Sequence, residues 1–326
     1  MGFPLADWID DHASCRYDLG RSGVAGSIQL PRLPGGGNFD RDAPILRRRL
    51  GRLSGVAADR VFLTHGATEG NTLALLYLAR HSGVRAAKPR RCWIRPPEYP
   101  PIFDIARAVG FQPSFSPGPH YITALSRPTN PTGLLDEIAS VRAWAEGSHA
   151  IVVDETFREF TDVPSLQVAR IPRLWTVGSF TKAYGGDALR VGFVIPPADE
   201  EASFRRFHGL LLDELPAASV SGALALLRHR AALLAQSREL LRRNERALRE
   251  SIEGVPRLAA PLWFDRGTKG LDGNRLARAC LRASVLVCPG SFFADSSGVR
   301  ICLTRKSFPR DLFAYLRVRE RFLGLG

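Results

Sequence analysis

Between residues 60 and 195 the sequence alternates short runs of β-branched and aromatic residues with longer amphipathic stretches. No other feature narrows the fold as far, because strands recurring at the spacing of a helical crossover are expected to pair in parallel beneath covering helices. The predicted strands are Arg60–Leu63, Cys92–Ile94, Ala150–Val153, Arg173–Val177 and Gly192–Ile195. Polar or glycine-containing loops follow Leu63, Val153 and Val177. Ligands of open α/β sheets bind at the carboxyl ends of strands, so these three loops are expected to converge on one site.

Beyond the sheet, the stretch from Ala217 to Glu253 is rich in Leu, Ala, Arg and Glu at helical spacing, and Gly254-Val255-Pro256 ends it. Leu258–Phe264, Val285–Cys288 and Val299–Leu303 read as strands of a smaller α+β domain, which the first forty or so residues complete. The glycines in Pro34–Gly37 read as the joint. The expected organisation is a large α/β domain over 44–235, with a mostly parallel sheet covered by helices, and a small domain built from 1–43 and 236–326.

With 326 residues, 45% of them apolar, the chain has enough material for a sizeable core. Its five cysteines are odd in number and form no C-x-x-C pair, which argues against a disulfide framework and against a zinc site. A reducing cytoplasm is the expected location. An acidic stretch, Asp7 to Asp11, stands where a signal peptide would be basic and then apolar, and no segment reaches membrane-spanning length. The formal charge of +13 would suit nucleic acid, but the arginines are spread along helical segments without interleaved aromatics, so no nucleic-acid partner is expected. A positive field also suits small acidic substrates.

Only four of the 45 basic residues are lysines: Lys88, Lys182, Lys269 and Lys306. Lys182 lies in Ser179-Phe-Thr-Lys182-Ala-Tyr-Gly185-Gly186-Asp187-Ala-Leu-Arg190-Val-Gly192. Arginine cannot do what a lysine does here, since only a primary amine of adjustable pKa condenses with an aldehyde to a Schiff base. Ser179 and Arg190, joined by glycines that let backbone approach an anion, are able to grip a phosphate beside it. That is what a lysine carrying pyridoxal phosphate needs.

Other segments add to the pattern. Leu63-Thr-His-Gly66-Ala67-Thr68-Glu-Gly70 leaves a strand and opens a helix over Asn71–Arg80, whose N-terminus offers N–H groups to an anion; Thr68 adds a hydroxyl that would equally serve as an N-cap. Asn130-Pro131-Thr132-Gly133 follows another predicted strand and reads equally as a plain turn; a side-chain amide there is able to donate to a phenolic oxygen. Asp154, 28 residues before Lys182, ends a buried strand, where a carboxylate would cap a helix or keep a pyridine nitrogen protonated.

In this order and on these elements, the motifs resemble the fold-type I pyridoxal phosphate enzymes, specifically the class I/II aminotransferase family, over essentially the whole chain. The resemblance implies that Lys182 binds the cofactor covalently and later shuttles a proton, that Asp154 pairs with the pyridine nitrogen and that Asn130 faces the phenolic oxygen. By the same resemblance Tyr99 of Pro97-Glu98-Tyr99-Pro100 stacks on the ring, and Ala67, Thr68, Ser179 and Arg190 hold the phosphate. Arg300 in Gly298-Val-Arg300-Ile-Cys-Leu-Thr304 resembles the arginine that grips the substrate α-carboxylate, with Ser22-Gly23 lying over it and Gly23 matching a glycine of the family. An amino acid and a 2-oxo acid as substrates, and a homodimer, are implied too.

Two departures stand out. Phe157 in Asp154-Glu-Thr-Phe157 replaces the family's usual tyrosine and resembles the threonine-phosphate decarboxylase branch. Asp187 and Ala188 stand where the family commonly has proline and then glycine, which places an acid near the phosphate and loses a glycine. Pro4–Trp8 and Asp18–Val24 resemble capreomycidine synthase, a cyclising enzyme. Amino transfer is the expected reaction, with decarboxylation of an amino-acid phosphate, a lyase or cyclase reaction, and a non-enzymatic regulator that binds the cofactor as alternatives. The forty or so residues ahead of the main domain leave no room for the DNA-binding module such a regulator carries.

Overall fold

The protein is described by a computed structural model over residues 4–81, 90–116, 121–267 and 271–324; Lys88 and Lys269 lie outside the described residues. Helix α1 (Pro4–Asp11), strand β1 (Tyr17–Asp18) and helix α2 (Phe39–Ser54) open the chain. There follow β2 (Phe62–Thr64), α3 (Ala67–His81), β3 (Arg91–Trp93), α4 (Pro100–Ala108), β4 (Gln112–Ser114) and β5 (Tyr121–Ser126). Next come α5 (Ile138–Glu146), β6 (Ser148–Asp154), β7 (Leu174–Ser179), β8 (Gly192–Ile195) and α6 (Glu201–Leu211). Helices α7 (Ala217–Arg228) and α8 (Arg230–Ser251) lead to β9 (Leu262–Asp265) and α9 (Gly273–Arg282). The chain finishes with β10 (Val285–Leu286), β11 (Cys288–Pro289), β12 (Val299–Cys302) and α10 (Phe308–Leu323).

The alternation of apolar runs folds into a seven-stranded sheet in the order β2-β8-β7-β6-β5-β3-β4. Only β8 runs against its neighbours, pairing antiparallel with both β2 and β7. The reversal has a simple cause. Parallel strands need a crossover, usually a helix of a dozen or more residues, whereas residues 180 to 191 form a loop that turns back through Gly185 at φ +64° and Arg190 at φ +52°. Gly192 is required where β8 begins, since a Cβ there would stand 2.5 Å from the backbone of Gly66 and 2.8 Å from that of Gly178.

Strand β8 falls on its predicted residues, and β3, β6 and β7 differ from prediction by a residue or two at their ends. The segment Arg60–Leu63 begins in a 3-10 turn over Ala58–Arg60, which delays β2 to Phe62. Strand β5, between β6 and β3, is the strand expected ahead of Asn130; hydroxyls and alanine dilute its Tyr-Ile-Thr-Ala-Leu-Ser sequence.

Helices α3 and α6 are held to one face by an aromatic cluster. Trp175 of β7 lies 5.3 Å from Tyr77 of α3 and 5.0 Å from Phe204 of α6, ring centre to ring centre. Such pairs contribute roughly 0.5–1.5 kcal/mol each beyond area burial, so α3 and its N-terminus are fixed relative to the sheet.

Outside this sheet, β11, β12 and β9 form an antiparallel three-stranded sheet and β1 pairs with β10 in parallel. The predicted strand Val285–Cys288 is divided at Val287, its halves pairing with different partners. The predicted strand Leu258–Phe264 shortens to begin after Pro261, and the long helical stretch breaks at His229.

Candidate active site

At the carboxyl ends of β5, β6 and β7 lies a cavity of about 480 Å³, lined by Ser126, Asp154 and Lys182 and by residues from α1, α3 and β12. The three predicted loops do converge there.

Lys182 leaves β7 in the loop that precedes the reversed strand. Its Nζ donates to Ser22 Oγ at 3.0 Å and lies 6.0 Å from the centre of the Phe157 ring. Burial, reinforced by the guanidinium groups of Arg300 and Arg190, lowers its pKa to about 8. A fraction of the amine is therefore neutral, and nucleophilic, near neutral pH.

Asp154 ends β6 and is buried. Asn71 Nδ2 donates to its Oδ2 at 2.8 Å and the Thr156 N–H to its Oδ1 at 2.9 Å. Burial raises its pKa, while those two hydrogen bonds and the charge of Lys182 act against the rise. A carboxylate so placed is stabilised by any cation brought over it.

An anion cradle is built where β2 meets β8. Helix α3 begins at Ala67, four residues earlier than predicted, so Thr68 lies inside the first turn and is not the cap. The turn is closed by Glu69, whose carboxylate accepts from the His65 N–H at 2.6 Å. Gly66, at φ +82°, leaves room for Arg190: a Cβ on Gly66 would stand 3.1 Å from the arginine Nη2. Ala67, Thr68, Thr181 and Arg190 line the cavity. Ser179, predicted in that role, stands behind Thr181, with its Oγ 2.9 Å from Thr181 Oγ1 and accepting from the Thr181 N–H at 3.1 Å. Ser179 is the last residue of β7, and Thr181, in the loop beyond it, lines the cavity instead.

Arg300 of β12 is 1% exposed. Its Nη1 donates to Asn130 Oδ1 at 3.2 Å and its Nη2 to the Gly20 carbonyl at 2.8 Å, while Nε has no partner. No carboxylate pairs with it among the described residues. A buried charge without a counter-ion costs several kcal/mol, so this corner is arranged for an anion that arrives from outside. Ser22 lines the cavity at this end, whereas Gly23, predicted there, packs against the Thr181 backbone.

Tyr99 lines the cavity as predicted, and burial, with the charge of Asp154, pushes its phenol up to about 12. Its neighbour Glu98 was not foreseen. Glu98 is fully buried and accepts from the Tyr99 N–H at 2.6 Å and the Ser126 N–H at 2.8 Å. It also bonds Ser126 Oγ, which accepts in turn from the Asn130 N–H at 2.9 Å. One carboxyl group thereby ties the Tyr99 loop to the Asn130 turn, and burial raises its pKa to about 8. The sequence offered one hint, an acid wedged among the prolines of Pro97-Glu98-Tyr99-Pro100. Helix α1 was also missed as part of the site; its Leu5, Ala6 and Ile9 form an apolar wall.

The profile of the family described as aminotransferase class I and II matches residues 39–307. An aromatic amino acid aminotransferase of Streptomyces avermitilis is 29% identical over 252 residues, covering 69% of this chain and 66% of that protein. Capreomycidine synthase of Streptomyces vinaceus is 28% identical, covering 91% of this chain and 88% of that protein. A PLP-dependent aminotransferase of Streptococcus suis superposes with a TM-score of 0.76 at 19% identity, covering 99% of this chain and 98% of that one. Alignments with the first few curated relatives span 50% to 66% of their length.

Proposed function

The chain belongs to the class I and II aminotransferase family, and on that premise we propose that it is a pyridoxal phosphate-dependent aminotransferase acting on an amino acid and a 2-oxo acid. The observation that carries this reading is the convergence of three cations, Lys182, Arg190 and Arg300, on one cavity beside the buried carboxylate of Asp154. None of the three is paired with an acid among the described residues.

The donor set fits the cofactor. Ala67, Thr68 and Arg190 would hold its phosphate in the space that Gly66 leaves open, with Thr181 beside them and Ser179 supporting Thr181. Asp154 would face the ring nitrogen, Asn130 the phenolic oxygen, and Tyr99 and Phe157 the ring. When bound, the cofactor supplies an electron-withdrawing ring that acidifies the substrate α-carbon. Arg300 binds the substrate α-carboxylate with its planar fork, and Ser22 holds the Lys182 amine at the cavity wall. Lys182, part of its amine neutral near neutral pH, takes the proton from the α-carbon and returns it on the other side of the exchange.

The division into a large domain over 44–235 and a small one from 1–43 and 236–326 belongs to the same proposal, supported by the confinement of the seven-stranded sheet to residues 62–195. A homodimer rests on the family resemblance. A cytoplasmic location rests on five unpaired cysteines, and among the described residues no helix is long and apolar enough to cross a membrane.

Holoenzyme given one amino acid and no acceptor should release one equivalent of 2-oxo acid per site. Carbon dioxide in its place would overturn amino transfer in favour of decarboxylation. A lyase or cyclase reading is favoured by the alignment with capreomycidine synthase over most of both chains, and it would be marked by a product formed without 2-oxo acid.

A further inference from the structure

Five charged side chains line the cavity: Asp154, Lys182, Asp187, Arg190 and Arg300. The proposed function engages four of them and leaves Asp187. This residue follows Lys182 by five positions, opens a 3-10 turn over Asp187–Leu189, and is exposed. Among the described residues its carboxylate accepts no hydrogen bond and joins no ion pair, with Arg190 or any other cation. Its charge is nevertheless felt at Lys182, where it opposes the fall in the amine's pKa.

One wall of the cavity is apolar. Leu5 and Ile9 of α1 pack toward Tyr99, and Pro101 at the start of α4 lines the cavity with them. The cavity thus offers a side chain one apolar wall and one unpaired carboxylate. Taking the chain to be an aminotransferase as above, we propose that Asp187 recognises the substrate's side chain, and that the substrate is an amino acid whose aliphatic stem ends in a cation, an amine or a guanidinium.

The chemistry favours such a ligand on both counts. A methylene stem packs on apolar walls while its charged head stays hydrated, and the head gains a charge-assisted hydrogen bond from Asp187. A carboxylate or phosphate at the same place would face Asp187 with repulsion, the cavity's three cations being engaged elsewhere.

The test is a set of dissociation constants, measured by calorimetry on holoenzyme, for lysine, arginine, norleucine, glutamate and O-phosphothreonine. Lysine or arginine should bind roughly tenfold or more tightly than norleucine, the span of one charge-assisted bond; which of them binds more tightly tells the amine from the guanidinium. In Asp187→Asn that ratio should collapse toward one, Asp187→Glu should retain most of it, and Asp187→Arg should shift preference toward glutamate. Norleucine matching both cationic amino acids in the wild type would overturn the proposal while leaving amino transfer standing. So would an Asp187→Asn variant that keeps the ratio and instead loses affinity for the cofactor, which would place Asp187 in the phosphate cradle. Failure of every amino acid to bind would overturn the proposed function as well.

Discussion

Asn130 and Arg300, 170 residues apart, meet through a single hydrogen bond in which Arg300 Nη1 donates to Asn130 Oδ1 at 3.2 Å. The bond fixes which end of the amide is which. With its oxygen taken by the arginine, Asn130 keeps both N–H donors for the phenolic oxygen of a bound ring. The arginine proposed to bind substrate therefore also orients the amide proposed to meet the cofactor.

Replacing Arg300 should separate these two effects. Arg300→Ala removes the α-carboxylate's bidentate partner and is expected to cost roughly 3 kcal/mol in kcat/KM. Arg300→Lys should recover little, because a point charge lacks the planar fork. Since Asn130 loses its orienting donor in both variants, the visible absorbance of the bound cofactor should shift in each, without substrate. A spectrum unchanged in Arg300→Ala would show that the amide is oriented by something else.

Lys182 should prove to be the residue that cofactor and borohydride label together, by peptide mapping. In cofactor-free protein its amine should react with an amine-directed reagent along a titration curve centred near pH 8. Arg300→Gln removes a positive charge that lowers the lysine's pKa, so the midpoint should rise. A midpoint near the ordinary lysine value in the wild type would contradict the burial of this amine.

Phe157 cannot donate a hydrogen bond where a tyrosine would. Phe157→Tyr should add a donor to the phenolic oxygen, stabilise negative charge there, and so loosen the proton held between cofactor and Lys182. The spectroscopic titration midpoint of the holoenzyme is expected to fall. A rise, or no change, would mean that the Phe157 ring does not reach that edge of the cofactor.

Glu98 makes a prediction about stability. Its folded pKa, near 8, lies above the ordinary glutamate value. A group whose pKa is raised on folding stabilises fully below its unfolded pKa and loses that contribution as pH climbs toward the folded value. Between about pH 4.5 and 8 the wild type should therefore lose thermal stability with a slope that Glu98→Gln flattens. The slope is the readout, since the amide also meets the Tyr99 N–H less favourably. Equal slopes in the two proteins would show Glu98 to be ionised throughout.

The sequence revealed most of what local chemistry determines. Lys182, Asp154, Asn130, Arg190 and the Gly66 turn could be picked out because a glycine, an amide or a carboxylate directly after a strand has few other uses, and β8 was legible as an unbroken apolar run. Choices between neighbours were not. Whether Ser179 or Thr181 faces the cavity depends on the path of the loop that leaves β7, which composition does not encode. Nor were the supporting contacts legible: Asn71 reaches Asp154 across 83 residues and Glu98 reaches Ser126 across 28. The four-residue error at the start of α3 has the same origin, tertiary packing overriding a weak local pattern.

The reversed strand β8 has a consequence for the order in which a growing chain acquires its chemistry. It closes the sheet edge against β2 by residue 195, and with it the groups proposed to hold the cofactor, Ala67 through Arg190, are all in place. The proposed substrate anchor, Arg300, belongs to β12 and emerges more than a hundred residues later. A nascent chain thus completes the proposed cofactor cradle before the proposed α-carboxylate anchor is made, and the late pairing of β12 with β9 and β11 is the step that would add it.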